Sequence, residues 1–506
     1  MINNADKTEK LNNLLKGMSE LVKNRSLFVV SNRGPVEHHI LDGENIVSRR
    51  GTGAVVTALN SLVGLDFTWV SNAMGEGDRL VTRNSIGEAI KSGIPGHGFS
   101  IKYVVTPRRV YHKFYNIFCN PLLWFLHHNM WSSPYTPNID NSVYDSWQTG
   151  YVTVNRAFAD AIIEVAQKSD KRASIVIHDY HLYMLPGMLR QAMPEATIQH
   201  FVHIPWPDPS SWQLLPSYIR TSICESLIMT NTVAFQNFKD VRNFLQSCEM
   251  FVPDTYVDYE NCTVSLNGHK TNVRHRPMGI SVDEVMSIAE SSRAKEYENK
   301  LIDLLTEKTI VRIDRIEPSK NILRGFRAYR LLLERNPEMS GKVTFLAFLV
   351  PSRTHIRQYQ RYLQEVEELV SEINDSFGKP GWKPIVAFYD NNYTQAMAAM
   401  KFYDVLLVNP IMDGMNLVSK EGPIVNTKSG VLILSETAGS YDQLKDGVLP
   451  VSAADIEGTY RALCQALELP HEKRKEFEEM LRDNIAREDV IDWVQKLFFD
   501  LNYNLE

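Results

Sequence analysis

The chain lacks most features that declare a function at sight. Its five cysteines (Cys119, Cys224, Cys248, Cys262 and Cys464) are scattered without a CxxC pair. That spacing argues against a disulfide framework or a thiolate zinc site and suits a reducing cytosol. Positive charge is not in excess: 54 Lys and Arg stand against 60 Asp and Glu, a net charge of −6. No general affinity for nucleic acid is therefore expected. No apolar run approaches the roughly 18 residues of a membrane helix. Residues 1–10 are polar and charged and lack the apolar core of a secretory signal. There is no GxGxxG fingerprint, no P-loop, no fixed-period repeat and no low-complexity tract. A cytoplasmic protein without nucleic-acid or membrane partners is the expectation. What remains is ordinary globular material, 44% hydrophobic and 23% charged. At 506 residues it is too long for one core and comfortable for two large domains.

One stretch carries more information than the rest. Residues 405–408 are a short continuous apolar run, the mark of a strand buried on both faces. Pro410 blocks further ladder pairing, and Asp413-Gly414 signals a turn. From Asn416 the spacing is helical, with Leu417, Glu421 and Val425 on one side. In an open α/β sheet a strand–turn–helix junction points free N–H groups at the ligand crevice, and an anion is the expected guest. Carboxylates do not suit a phosphate but do suit sugar hydroxyls. Asp413 and Glu421 therefore point to a nucleotide-sugar site, with an ordinary polar-tipped βα loop as the alternative.

The rest of the chain alternates strands and helices. Residues 1–25 form an amphipathic pattern. Residues 27–30 read as a first buried strand running into the turn Ser31-Asn32-Arg33-Gly34-Pro35. A polar loop follows, then the glycine turn Arg49-Arg50-Gly51-Thr52-Gly53 and an apolar helix at 54–62. Residues 100–135 are rich in aromatic groups, either a helical core or a platform for a sugar ring. Two short strands end in His178-Asp179-Tyr180-His181 and His203-Ile204-Pro205-Trp206-Pro207. Strand ends are where open α/β sheets place functional groups, although a lone histidine there also serves structure. Residues 252–277 read as a hairpin-type insertion and 283–308 as a polar, helical connecting stretch. Strands and helices alternate again from 309, and 470–506 is helical. Two Rossmann-like domains facing across a cleft are expected, in the α/β class.

Sugar transfer from a nucleotide builds charge on the leaving diphosphate, which pre-positioned arginine and lysine stabilise without a metal. Arg315 and Lys320 lie five apart beside a strand end, where a solvated basic loop is the alternative reading. Arg33 and Arg353 also follow buried strands.

Several stretches now combine: Ser31-Asn32-Arg33-Gly34, Tyr115 to Trp124, His178 to Leu182, His203 to Pro207, Arg315-Ile316-Glu317-Pro318-Ser319-Lys320, Pro351-Ser352-Arg353, Asp413 to Glu421, and Leu434 to Gly439. In order and rough spacing they resemble the trehalose-6-phosphate synthases, the family 20 retaining glycosyltransferases of GT-B fold. The resemblance implies an acceptor-binding domain at 1–285, a nucleotide-sugar domain at 300–485, and a last helix at about 486–506 packing back on the first. It implies that Arg315 and Lys320 bind the donor diphosphate. The loop Asp413, Gly414, Met415, Asn416 and Leu417 supplies amides, Asp413 also reaches the donor glucose, and Glu421 holds the ribose. His203 contacts the donor glucose and Asp179 the acceptor sugar. Arg33, Tyr115, Trp124 and Arg353 surround the phosphate of glucose 6-phosphate, and Gly51 or Gly53 forms a loop over the donor. Asp179, His203, Arg315, Lys320 and Asp413 are the implied catalytic group, and no metal or cofactor is called for.

The chain departs from the family pattern in three places. The usual Arg-Leu-Asp-Tyr-x-Lys-Gly appears as Arg315-Ile316-Glu317-Pro318-Ser319-Lys320-Asn321. The glycine turn lies far from Arg33 and is split by Thr52. Phe388 and Tyr389 stand at the expected base-binding edge. The expected reaction moves glucose from a nucleoside diphosphate glucose to glucose 6-phosphate, with the nucleotide and any homo-oligomer left open. A pseudo-glycosyltransferase joining cyclitols and a non-catalytic sugar-phosphate-binding regulator are the alternatives.

Overall fold

A computed structural model describes residues 14, 16–20, 22–41, 45–51, 56, 65–94, 98–130 and 138–503. Gly53, Trp131, Tyr135, residues 1–13 and most of the expected helix at 54–62 lie outside the described residues. The chain divides into two compact units. Met278–Val490 forms one, and the residues up to Pro277 join those from Ile491 in the other.

The unit that begins the chain is built on strands β1 (Arg25–Val30), β2 (Val36–Leu41), β3 (Asn45–Arg50), β4 (Thr68–Asn72), β5 (Ile90–Lys91), β6 (Ser100–Val104), β7 (Arg172–His178), β8 (Thr197–Val202), β9 (Thr232–Phe235), β10 (Tyr256–Asp258), β11 (Thr263–Leu266) and β12 (His269–His275). Ten of them form one sheet in the order β10-β11-β12-β9-β8-β7-β1-β4-β6-β5. It is parallel from β12 to β6, and β8 and β9 are buried throughout, as crossover helices on both faces require. From β1 the chain steps out to β4 and β6 on one side, then returns to β7 on the other. The switch point therefore lies between β1 and β7, where ligands bind in such sheets.

Two readings of this unit change. The expected polar loop, with Arg49 and Arg50 of the glycine turn after it, forms the antiparallel pair β2 and β3, with Val36 paired to Arg50 and Leu41 to Asn45. Most of its residues are exposed, so no buried face imposed the apolar alternation that marks a strand. The hairpin expected at 252–277 forms, with β11 and β12 antiparallel about Asn267-Gly268, but it is no separate insertion: β12 pairs in parallel with β9 and extends the sheet. From Ile491 the helix Val490–Tyr503 belongs to this unit as well: Trp493 packs edge-on against Phe201 at 5.2 Å, and Arg276 Nε donates to Asp500 Oδ2 at 2.7 Å.

The second unit carries β13 (Lys308–Arg315), β14 (Val343–Val350), β15 (Ile385–Phe388), β16 (Val405–Val408), β17 (Val431–Ser435) and β18 (Val448–Val451). All are parallel, in the order β15-β14-β13-β16-β17-β18. Here the direction reverses between β13 and β16, the strands that end at Arg315 and just before Asp413. The helix Arg357–Phe377 buries Tyr359, Tyr362, Val366, Leu369, Val370 and Ile373, a stripe at helical spacing, and leaves its charged face to water. Residues 283–308 are helical as expected, but they are packed into the unit and are not a mere linker. They hold the helices Val282–Ala289 and Ser292–Ile302, whose Val285, Ala289, Ala294 and Leu301 are buried in the core of this unit.

Candidate functional site

In the Met278–Val490 unit the loops at the switch point are fixed from beneath by a buried ion pair. Arg312 on β13 is fully buried and donates from Nε and Nη2 to Asp314 Oδ2 at 3.0 and 2.8 Å. Its Nη2 also reaches Lys320 O at 3.0 Å and Asn409 Oδ1 at 3.2 Å, joining the turn after β13 to the loop after β16. Burial raises the Asp314 carboxyl even against this arginine. Asn321 ends the turn at φ 59° and donates to Asn409 O at 2.9 Å. Ile411 N donates to Ser319 O at 2.8 Å. Lys320 thus leaves a short helical turn held at both ends, and its ammonium donates to Asp413 Oδ2.

Asp413 organises the loop that follows. Its carboxylate accepts from Gly414 N and Asn416 Nδ2, each at 3.0 Å. Gly439 N donates to Asp413 O at 3.0 Å, and Ser440 N donates to the carbonyl of buried Met415 at 2.9 Å. A Cβ on Gly439 would lie 1.7 Å from Gly414 O, so only glycine permits this approach. Asn416 adopts φ 72°, and its Oδ1 accepts from Ser419 N at 3.1 Å. Leu417 O accepts from Glu421 N at 2.8 Å as the helix Val418–Val425 begins. Inside that helix Glu421 is buried and accepts from Tyr393 Oη at 2.9 Å. Burial pushes its carboxyl up to about 7 although the Tyr393 hydroxyl favours the charged form. Burial pulls the neighbouring Lys420 ammonium down to about 7, and its Nζ donates to Met278 O at 2.8 Å.

Arg315 is half exposed at the end of β13, with Nε 3.3 Å from Glu317 Oε1. Arg353 donates to the same oxygen at 2.8 Å. The structure thus brings Arg353 together with Arg315, and places it in a different unit from Arg33, Tyr115 and Trp124. Glu317 is fully buried. Burial opposes its charge, yet Arg315, Arg353 and Lys320, with a bond from Ser352 Oγ, hold its carboxyl at about 2. At the expected base edge Phe388 stacks on Phe348 at 4.8 Å, and Tyr389 is partly buried.

In the other unit Arg33 is exposed just after β1. The turn is braced by Trp69 Nε1 donating to Ser31 Oγ at 2.8 Å and by Asn72 Nδ2 donating to Asn32 Oδ1 at 2.7 Å. The hairpin then returns the chain, and Gly51 N donates to Pro35 O at 2.8 Å. A Cβ on Gly51 would stand 2.5 Å from Gly34 O. A pocket of about 340 Å³ opens beside Arg33, lined also by Glu37, His38, Met74 and Glu76.

The aromatic segment is largely core, as one of its two expected readings had it. Phe114, Phe118 and Phe125 are core residues, and Trp124 is buried, stacked on His128 at 4.0 Å. Tyr115, only partly buried, is stacked between Tyr111 at 5.7 Å and His181 at 5.8 Å.

Asp179 follows β7 with φ 76° and ψ 171°, a region almost reserved for glycine, at a cost of about 1–3 kcal/mol. Hydrogen bonds hold it there, among them its N to Phe201 O at 2.7 Å, His200 Nε2 to its O at 3.1 Å, Leu182 N to its O at 3.3 Å, and His203 N to its Oδ1 at 3.3 Å. His203 follows the adjacent β8, and its Nε2 lies 3.1 Å from His178 Nδ1. Burial pushes His178 and His200 down to about 3 and His203 well below the usual imidazole value, with His178 and His200 adding to its shift. All three are neutral at physiological pH, so His203 offers hydrogen bonds and no charge. Among the described residues no cluster of His, Cys, Asp and Glu could hold a metal, and no helix is long and apolar enough to cross a membrane.

Sequence reasoning gave no role to Glu317, Tyr393, His178 or the Arg312–Asp314 pair. Glu317 had a signal, a carboxylate flanked by Arg315 and Lys320. Tyr393 had none, because its partner lies 28 residues further on.

Comparison with known proteins adds the following. The model for glycosyltransferase family 20 matches residues 25–503. A bifunctional trehalose-6-phosphate synthase/phosphatase of Thermoproteus tenax is 30% identical over 94% of this chain. The chain spans only 63% of that relative's length. A UDP-forming alpha,alpha-trehalose-phosphate synthase of Candida albicans is 30% identical over 89% of this chain and 91% of its own. A validamine 7-phosphate valienyltransferase of Streptomyces hygroscopicus is 28% identical over 88% and 87%. Among solved structures, the UDP-forming synthase from Burkholderia xenovorans in complex with glucose-6-phosphate superposes with a TM-score of 0.79 at 25% identity, covering 94% of this chain and all of that one. The fold is thus that of the GT-B enzymes, in the α/β class.

Proposed function

The chain belongs to glycosyltransferase family 20, and from that premise we propose that it transfers glucose, with retention, from UDP-glucose to glucose 6-phosphate, forming trehalose 6-phosphate in the cytoplasm. The observation that carries this reading is the group around Asp413. A lysine and a carboxylate are paired at the switch point, the loop is fixed for close approach, and a buried carboxylate stands in the first turn of the helix that follows. In this reading Arg315 and Lys320 neutralise the leaving diphosphate, and the amides of residues 414–417 line it. Asp413 meets the donor glucose and Glu421 the ribose. Neutral His203 bonds the donor glucose. Asp179, Arg33, Tyr115, Trp124 and Arg353 serve the acceptor, and Gly51 and Gly53 the loop over the donor. The bond from glucose C1 to the diphosphate breaks as the bond from C1 to the acceptor oxygen forms on the same face. The acceptor proton passes to the departing phosphate oxygen, so no side-chain nucleophile is required. Uridine is supported by the relatives named UDP-forming.

Incubation of the purified chain with glucose 6-phosphate and, separately, UDP-, GDP- and ADP-glucose tests the reading, with trehalose 6-phosphate expected from the UDP sugar. Coupling of a nucleotide-linked cyclitol to validamine 7-phosphate, with no disaccharide from any glucose donor, would replace it by the valienyltransferase chemistry of the Streptomyces relative. Binding of sugar phosphates without any turnover would make the chain a regulator.

A further inference from the structure

We propose that Glu317 is a positioning residue for the transfer, one buried carboxylate that holds Arg315 and Arg353 so that the donor and acceptor phosphates are bound through a shared anchor. This rests on the reading that Arg315 meets the donor diphosphate and Arg353 the acceptor phosphate. The register makes the meeting possible. β13 and β14 are parallel neighbours with Arg315 opposite Val350, so the residues just past both strand ends lie side by side. Arg353 adopts φ 47°, and its side chain is only 8% exposed. Its Nη1 donates to Glu317 Oε1 at 2.8 Å and to Tyr359 Oη at 3.0 Å, while the guanidinium lies over the Tyr359 ring at 5.2 Å. Ser352 Oγ donates to the same Glu317 oxygen at 2.9 Å, and Arg315 Nε stands 3.3 Å from it.

Glu317 Oε2 is buried with no hydrogen-bond partner among the described residues. The charge of this carboxylate is therefore met by the surrounding cations rather than by a cage of amides. A guanidinium as buried as that of Arg353 needs such a counter-charge to keep one geometry. The backbone of Glu317 also shapes the turn, since Lys320 N donates to its carbonyl at 3.0 Å. Where the family resemblance leads one to expect aspartate, this chain has glutamate, and its Oε1 meets Arg353, Arg315 and Ser352. The departure from the pattern at this position thus has a structural use.

The test is calorimetric titration of the full chain with UDP-glucose and, separately, glucose 6-phosphate. Glu317→Gln keeps volume and removes charge, and both affinities are expected to fall about tenfold or more, as for a partner lost from a buried ion pair. Glu317→Asp keeps the charge and shortens the reach, and should fall between wild type and Glu317→Gln for both ligands. A merely structural carboxylate would lower the melting temperature and leave both affinities unchanged. Loss of one affinity alone overturns the shared anchor. If Glu317→Gln does not fold, Glu317→Asp carries the test, and unchanged binding of both ligands refutes the proposal. A wild-type chain that binds neither ligand removes the functional reading and this proposal with it. Wild-type binding of both, unaltered by either substitution, removes this proposal alone.

Discussion

Glu421 offers the sharpest link between structure and solution behaviour. Burial raises its carboxyl from an ordinary 4.5 to about 7. In the proposed reading it accepts hydrogen bonds from the donor ribose, which requires the ionised form. Donor affinity should therefore rise with pH until Glu421 is ionised, and then level off. At pH 5, two units below that value, about 1% of the free protein is ionised, and the affinity falls roughly 100-fold, or about 2.7 kcal/mol at 1.36 kcal/mol per unit. Stability runs the other way. The folded pKa is raised, so the folded chain keeps a proton that the unfolded chain gives up. Stability from this group is full below pH 4.5 and is lost as pH rises to about 7, by roughly 3 kcal/mol. UDP-glucose is the ligand to use, because its diphosphate diester stays fully ionised over the whole range. Lys420 also titrates near 7, but its Nζ is turned to Met278 O, and it remains in Glu421→Gln. Calorimetry from pH 5 to 8.5 should thus show a steep wild-type curve and a nearly flat one for Glu421→Gln. Parallel curves would refute the role given to Glu421.

Three further outcomes follow from the geometry. Lys320→Ala and Arg315→Ala should each lower kcat by about 10²–10³, the usual worth of a group that stabilises developing charge, and near wild-type turnover in both would end the leaving-group assignment. Arg33→Ala should raise KM for glucose 6-phosphate while kcat at saturation changes little, and an unaltered acceptor dependence in steady-state kinetics would remove Arg33 from the phosphate site. Gly439→Ala forces a Cβ against Gly414 O and should displace the donor loop. The expected overpacking cost is about 1–3 kcal/mol, read as a lower melting temperature with weakened UDP-glucose binding.

The parts of the site legible in the sequence are those written in consecutive residues. The run 405–408, Pro410, Asp413-Gly414 and the helical spacing after Asn416 each act locally, and β16, the turn and the helix Val418–Val425 follow them. Strand ends carrying Arg33, Asp179, His203 and Arg315 were legible for the same reason. What was not legible depends on partners distant in sequence. Tyr393 meets Glu421 from another helix, and Arg312 gains its meaning only when Asn409 on the neighbouring loop comes within 3.2 Å. Residues 283–308 looked like a connection because they are polar overall. Their packed face is carried by buried Val285, Ala289, Ala294 and Leu301, with Met286, Ile288, Tyr297, Leu304 and Leu305 partly buried against the same core.

The hairpin shows how a departure in spacing need not be a departure in geometry. Gly51 stands eighteen residues after Arg33, too far for a single glycine turn. Asp42-Gly43, a strong hairpin signal, sits between them in the sequence. The polar flanks, which bury almost nothing, hid what that pair implied. Once β2 and β3 pair from Val36–Arg50 to Leu41–Asn45, the excursion closes on itself and Gly51 N meets Pro35 O, two residues past Arg33. The extra length is thus spent outward, and the glycine turn begins beside the arginine after all. Glu317 makes the same point on a smaller scale, since the residue that departs from the pattern is paired with Arg353 and Arg315. Each departure leaves its own neighbourhood closed: Gly51 stands against Pro35 and Gly34 beside Arg33, and Glu317 gathers Arg315 and Arg353. What distinguishes this chain is therefore to be sought in how tightly each group is held, a quantity that the Glu317 and Glu421 titrations measure directly.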